Sequence, residues 1–205
     1  MRSCSRTSLS TLVVTAALYC LLLSTQFSAI QAQNTSPSNT IVENAIALRD
    51  VIGSKLQPLM TAPEFSDIMA RMLDPASRLT VFIPVEEATK DMNIGLDQVQ
   101  DALKMLRYHV VEGVFRSSSI PMSPDEISLN TLFFNSPPMR LSRTSENDIQ
   151  INSPTGVVTK VVMPDIICAN GVIHLIDAPI DVPGINMAQF YSDNPGALPT
   201  PRGRY

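Results

Sequence analysis

The sequence predicts an α+β domain, and three observations carry that expectation. Apolar residues recur at helical spacing over much of residues 40–106, whereas residues 117–177 read as short strands set between turn residues. Helices grouped ahead of strands indicate α+β rather than alternating βαβ units. Residues 164–177 read Pro-Asp-Ile-Ile-Cys-Ala-Asn-Gly-Val-Ile-His-Leu-Ile-Asp, in which Asn170-Gly171 separates two apolar runs rich in β-branched residues. That is the strongest short-range hairpin signal in the chain.

The elements follow in order. Residues 12–23 are an uncharged run behind Arg2 and Arg6, too short to span a bilayer and suited to the apolar region of a signal peptide. The expectation is a signal peptide over 1–32, with Ala32 the last residue before cleavage and an uncleaved signal anchor as the alternative. Residues 33–39 are polar, contain Pro37 and read as a linker. Within them Asn34-Thr35-Ser36 is the single N-glycosylation sequon.

Thr40-Ile-Val-Glu43 fits a capping box, in which the hydroxyl accepts from an amide three residues on and the carboxylate reaches back. Val42, Ile46, Ile52, Leu56 and Leu59 then recur at roughly helical spacing, with Gly53 a weak point. Thr61-Ala-Pro-Glu64 repeats the capping pattern. Behind it Phe65, Ile68, Met69, Met72 and Leu73 form one amphipathic face, with Met69 and Met72 read as core filler. Asp74-Pro75 stops that helix, and residues 79–83 form a short buried strand. Residues 97–100 open another helix with Val99, Leu103 and Leu106 inward. An apolar stretch then runs to Glu112-Gly113.

Strands are expected at 139–142, 148–151 and 157–163. A two-residue turn at Asn170-Gly171 would set Ala169 opposite Val172 and Cys168 opposite Ile173. Residues 184–205 hold three Pro and three Gly without a strong period and read as a flexible tail. No apolar C-terminal stretch suggests a GPI anchor.

Composition narrows the function classes. Of 15 basic residues, Arg2 and Arg6 would leave with the signal peptide, so 13 face 19 acidic ones, a net charge of about −6. That argues against nucleic acid as a partner, which needs a basic patch. Cys4 and Cys20 would leave as well, which makes Cys168 an unpaired thiol, expected to be buried. No His, Cys or acidic spacing suggests a metal site, no glycine-rich phosphate loop is present, and no cofactor is expected. His109 and His174 lie in apolar flanks and read as hydrogen-bonded interior imidazoles. In the expected hairpin His174 does not reach Cys168 at dyad distance, whereas the sequence leaves the approach of His109 to Cys168 open.

Four blocks of the chain, in order, resemble the fasciclin (FAS1) domain. Residues 79–88, Leu-Thr-Val-Phe-Ile-Pro-Val-Glu-Glu-Ala, are similar to the first signature, with Val85 where a Thr is usual and Thr89 where a large aromatic is common. Residues 106–113 hold the Tyr108-His109 block, residues 129–132 a Thr-Leu element, and residues 163–177 the second signature. The resemblance covers about 40–183 and implies a β-rich wedge or sandwich with N-terminal helices packed around it.

The resemblance also implies a non-catalytic, secreted adhesion or matrix-association module. Its partner would be an extracellular glycan, glycoprotein or receptor, or a second copy. By the same resemblance Tyr108, His109, Asp165 and Ile166 are candidate partner contacts, since a Pro-Asp-Ile run serves integrin binding in some animal relatives. The alternative from the residues themselves is a small-molecule or lipid carrier, with the Met-rich helices covering an apolar pocket of roughly a few hundred Å³, which a filled core would exclude. A hydrolase is the remaining reading and needs a histidine exposed beside a nucleophile.

Overall fold

The computed structural model of the chain describes residues 36–48, 50–51, 63–94 and 98–191. Among the described residues, four helices and seven strands run in the order α1 (Ile41–Ala47), α2 (Ser66–Leu73, entered by a 3₁₀ turn Pro63–Phe65), β1 (Leu79–Pro84), α3 (Glu86–Thr89), α4 (Val99–Tyr108), β2 (Val110–Glu112), β3 (Ile127–Leu129), β4 (Met139–Arg143), β5 (Ile149–Asn152), β6 (Val158–Cys168) and β7 (Gly171–Ile176). The strands form one sheet in the order β2-β1-β7-β6-β5-β4-β3, antiparallel except for the central β1–β7 pair. Its two ends come together, because Val111 bridges Thr131 just beyond β3 and the Leu132 amide donates to the Val110 carbonyl at 2.8 Å. The sheet is therefore nearly closed, which leaves few edge groups unpaired. The α+β class expected from the sequence is the one observed.

The helices are placed by their caps and apolar faces. Thr40 accepts from the Glu43 amide at 3.4 Å while Glu43 accepts from the Thr40 amide at 2.7 Å, so the first capping box forms as expected. The buried face of α1 is Ile41, Val42 and Ala45, and Ile46, expected inward, is 53% exposed. The spacing of Val42 and Ile46 was right for a helix, but the face that packs is set by Ile41 and Ala45. In α2 and its entry turn Phe65, Ile68, Met69 and Met72 are buried as the pattern indicates, while Leu73 at the last position is 46% exposed. No side chain caps α2 at Phe65; Thr61 and the expected helical run from Ile52 to Leu59 lie outside the described residues. In α4 the inward set is Ala102, Leu103, Met105 and Tyr108, with Val99 and Leu106 only partly covered.

The hairpin differs from its expected register. Cys168 pairs with Gly171, Ile167 with Val172 and Ile166 with Ile173, so Ala169-Asn170 is the two-residue turn. Neither Asn170 nor Gly171 takes a positive φ. Tertiary chemistry explains the shift. The Asn170 side chain is fully buried, donates to the Met72 carbonyl at 2.8 Å and the Asp74 carbonyl at 3.0 Å, and accepts from the Ile41 amide at 2.9 Å. It thus joins the start of α1 and the end of α2 to the hairpin. Gly171 is required by close packing, since a Cβ there would lie 1.9 Å from the Leu79 carbonyl oxygen of β1. Both residues of the dipeptide serve contacts across the fold, not the turn angles of the sequence pattern.

Strand β6 joins the expected 157–163 strand to the hairpin arm. Its register with β7 breaks between Val161 and Met163 and again between Met163 and Ile166. At the second break Pro164 and Asp165 stand opposite the single residue His174, a β-bulge, and Asp165 has φ 62°. A Pro that cannot donate to the ladder and an Asp that tolerates the left-handed region suit such a bulge.

The described parts of both expected flanks pack on the domain. Of the 33–39 linker, Ser36 and Asn39 are held by Asn44, and the Asn39 carbonyl accepts from the Ala169 amide at 2.8 Å. Of the 184–205 tail, a 3₁₀ turn Met187–Tyr191 buries Phe190 and Tyr191, and the Phe190 carbonyl accepts from the Asn93 amide at 2.7 Å. Two aromatics without a helical or strand period give no sequence signal for docking, yet their burial outweighs the nearby glycine.

Candidate functional site

The Tyr108-His109 block ends α4 inside the domain. His109 Nδ1 lies 2.7 Å from the Met105 carbonyl, and Nε2 accepts from the Ile180 amide at 2.9 Å. An amide can only donate, so Nε2 is unprotonated and the proton sits on Nδ1, which donates to Met105. The ring is 4% exposed, and burial pulls its pKa down to about 4, so it is neutral at physiological pH. Tyr108 is fully buried, donates its hydroxyl to the Pro137 carbonyl at 3.2 Å, and has its pKa pushed up by burial to about 12.

His174 carries the opposite tautomer. Its Nδ1 accepts from the Asp165 amide at 3.1 Å, which leaves Nε2 to donate to the Phe115 carbonyl at 2.8 Å. It stacks on Phe82 with centroids 5.6 Å apart, and burial lowers its pKa. Each imidazole thus spends both nitrogens on main-chain groups. Among the described residues neither holds a Ser, Thr or Cys side chain within hydrogen-bond reach, as a nucleophile–base pair requires.

The Asp165 carboxylate accepts from the Ser117 amide at 2.9 Å and from the Ser117 hydroxyl, tying the 3₁₀ turn Ser117–Ser119 to the bulge. Ile166 is 2% exposed. Of the four candidate contacts, Tyr108, His109 and Ile166 are therefore interior, and a partner docking on this surface meets none of their side chains. Asp165 alone is partly exposed, with its carboxylate engaged. The apolar flanks of these residues in the sequence already favour burial.

Cys168 is a buried free thiol that accepts from Asn44 Nδ2 at 3.3 Å, with its pKa raised by burial. Asn34 lies outside the described residues. Among the described residues no group of three or more His, Cys, Asp and Glu side chains could hold a metal ion, and no helix is long and apolar enough to cross a membrane.

Two further features are located by the structure. The first is the β3–β4 loop, where Phe134 is 84% exposed. The loop is braced: the Phe133 amide donates to Thr131 Oγ1 at 3.2 Å, Ser136 closes a turn on the Phe133 carbonyl, Asn135 takes φ 61°, and Tyr108 holds Pro137. Residues 127–139 contain no charged side chain. That uncharged run around Phe133-Phe134, ended by Pro137-Pro138, is the signal from which the loop could have been found.

The second is an apolar cavity of about 80 Å³ between α1, α2, β1 and the C-terminal half of α4. Met69, Met72, Met92 and Met105 contribute to its wall, and His109 is its one titratable lining residue among those described. The Met-rich helices are expected from sequence to cover an apolar pocket of roughly a few hundred Å³; the cavity lies beneath the described parts of them and is smaller.

The fold and its signatures agree with known proteins. The fasciclin-domain family model matches residues 54–183. Among solved structures, a FAS1 domain pair from the insect cell adhesion molecule fasciclin I is similar, at 18% sequence identity and a TM-score of 0.54, over 70% of this chain and 51% of that one. The chain spans about half the length of that domain pair. A comparison with curated proteins finds no match. Fasciclin domains are in general adhesion-related extracellular modules without catalysis. The nearly closed α+β sheet, the ordered signature blocks and the family match over 54–183 together make this chain a member of the fasciclin-domain family.

Proposed function

We propose that this protein is a secreted, non-catalytic adhesion or matrix-association module that docks a glycoprotein or receptor through its β3–β4 loop. The observation that carries the reading is Phe134, an almost fully exposed aromatic on a braced loop inside an uncharged segment. Aromatic side chains are enriched at interface centres because they bury a large apolar area while losing few rotamers, and charged residues are depleted there. A rigid loop has already lost the entropy that a mobile one would lose on binding. The surface needs no cofactor, and the net negative charge disfavours nucleic acid. Export through residues 1–32 and a glycan at Asn34 belong to the same reading, and a free glycan or a second copy is the competing partner. The test is an array of extracellular glycoproteins and glycans probed with the mature protein and with Phe134→Ser. Selective glycoprotein binding lost in the variant supports it. Binding confined to glycans, or unchanged by the substitution, contradicts it.

A further inference from the structure

We propose that the cavity between α1, α2, β1 and α4 is a binding site for the hydrocarbon chain, acyl or isoprenoid, of an apolar ligand. This site is separate from the β3–β4 loop and does not depend on it. Three observations define the ligand.

The first is the chemistry of the wall. Among the described lining residues there is no Asp, Glu, Lys or Arg, and the one titratable member of that set, His109, has both ring nitrogens bonded to main-chain groups. Nothing in the described wall asks for a polar partner, so the occupant presents only carbon there. Dry apolar cavities of this kind are filled by hydrocarbons rather than water.

The second is the wall's adaptability. Four of the lining residues are methionines, unbranched and polarizable side chains that repack around ligands of different shape. A cavity of about 80 Å³ is below the size of a whole ligand pocket, ~300 Å³ or more, so it accepts a segment of a chain and widens only by such repacking.

The third is the way out. On α1 the lining residue Val42 is followed one turn later by Ile46, 53% exposed; on α2 Met69 is followed one turn later by Leu73, 46% exposed. Residues four apart share a helix face. Both helices therefore continue the apolar wall from the cavity to the surface. An extended chain, with one segment inside and the remainder along Ile46 and Leu73, matches that continuity, whereas a compact ligand leaves both exposed.

The experiment uses the mature protein and two fluorescent probes, retinol for an isoprenoid chain and cis-parinaric acid for an acyl chain, each titrated to saturation. Saturable enhancement at one probe per chain with either is expected, and the tighter probe names the source. Ala45 lines the cavity, and Ala45→Phe fills it, lowering affinity at least tenfold. Because that variant can disturb packing, Ile46→Glu at an exposed position is the second test, with a several-fold loss expected at an unchanged unfolding midpoint. Val162→Ser, on an exposed apolar residue of β6, leaves affinity unchanged. The proposal is overturned by no saturable signal with either probe, by wild-type affinity in both Ala45→Phe and Ile46→Glu, or by one probe per two chains, which would assign the face to a second copy.

Discussion

Asn170→Asp separates two accounts of the hairpin. If Asn170 served the turn, Asp would replace it at little cost, because both residues favour turns and tolerate unusual backbone angles. In this structure the substitution removes the two N–H donors that reach the Met72 and Asp74 carbonyls and puts an oxygen 2.8 and 3.0 Å from them. Each buried carbonyl that loses its donor costs about 1–3 kcal/mol, and the acceptor for the Ile41 amide survives. The expected loss at pH 7 is about 3–5 kcal/mol, toward the upper end of what single substitutions do.

The loss also has a pH signature. A carboxyl facing two carbonyls is held above its unfolded pKa of about 3.9, so the penalty grows as pH rises through that value and shrinks below it, where a protonated Asp donates one bond again. Urea unfolding monitored by circular dichroism reads this directly. With a slope of about 2 kcal/mol/M the midpoint falls by about 2 M at unchanged slope. Asn170→Gly, harmless in a turn, loses a similar amount. If both variants unfold within about 1 kcal/mol of wild type, the clasp reasoning is wrong.

Further outcomes follow from the same geometry. Gly171→Ala sets a Cβ against the Leu79 backbone and costs at least about 3 kcal/mol in the same assay, or abolishes folding. His109 has a folded pKa of about 4 against an unfolded value near 6.5, so its contribution is whole above pH 6.5 and lost as pH falls toward 4, about 3 kcal/mol in all. His174, also lowered, adds to this acid limb, and His109→Gln makes the midpoint flatter with pH over that window. Cys168 stays unlabelled by a thiol reagent until urea unfolds the chain, and sedimentation gives the same species with and without reductant.

Much of the fold was legible because its signals are local. The Thr40–Glu43 capping box, the apolar face of α2 and the strand runs depend on neighbours within a few residues. The second signature marked a hairpin, but its register did not follow, since Asn170 and Gly171 answer to Met72, Asp74 and Leu79 about a hundred residues away. The burial of Tyr108, His109 and Ile166 was consistent with their flanks, whereas the docking of Phe190 and Tyr191 and the bulge at Pro164-Asp165 required the partner strands and helices to be seen. The exposed Phe134 also required the structure, because an uncharged run between strands does not say whether its aromatics face inward or outward.

The most direct test of the docking surface compares matrix adhesion of beads coated with the mature wild-type protein, Phe134→Ser and Asp165→Asn. Phe134→Ser is expected to reduce bead retention on extracellular matrix at least tenfold while its urea midpoint stays within experimental error, with Asp165→Asn retained like wild type. Undiminished retention of Phe134→Ser beads together with loss in Asp165→Asn would move the contact to the Pro-Asp-Ile bulge and contradict this account.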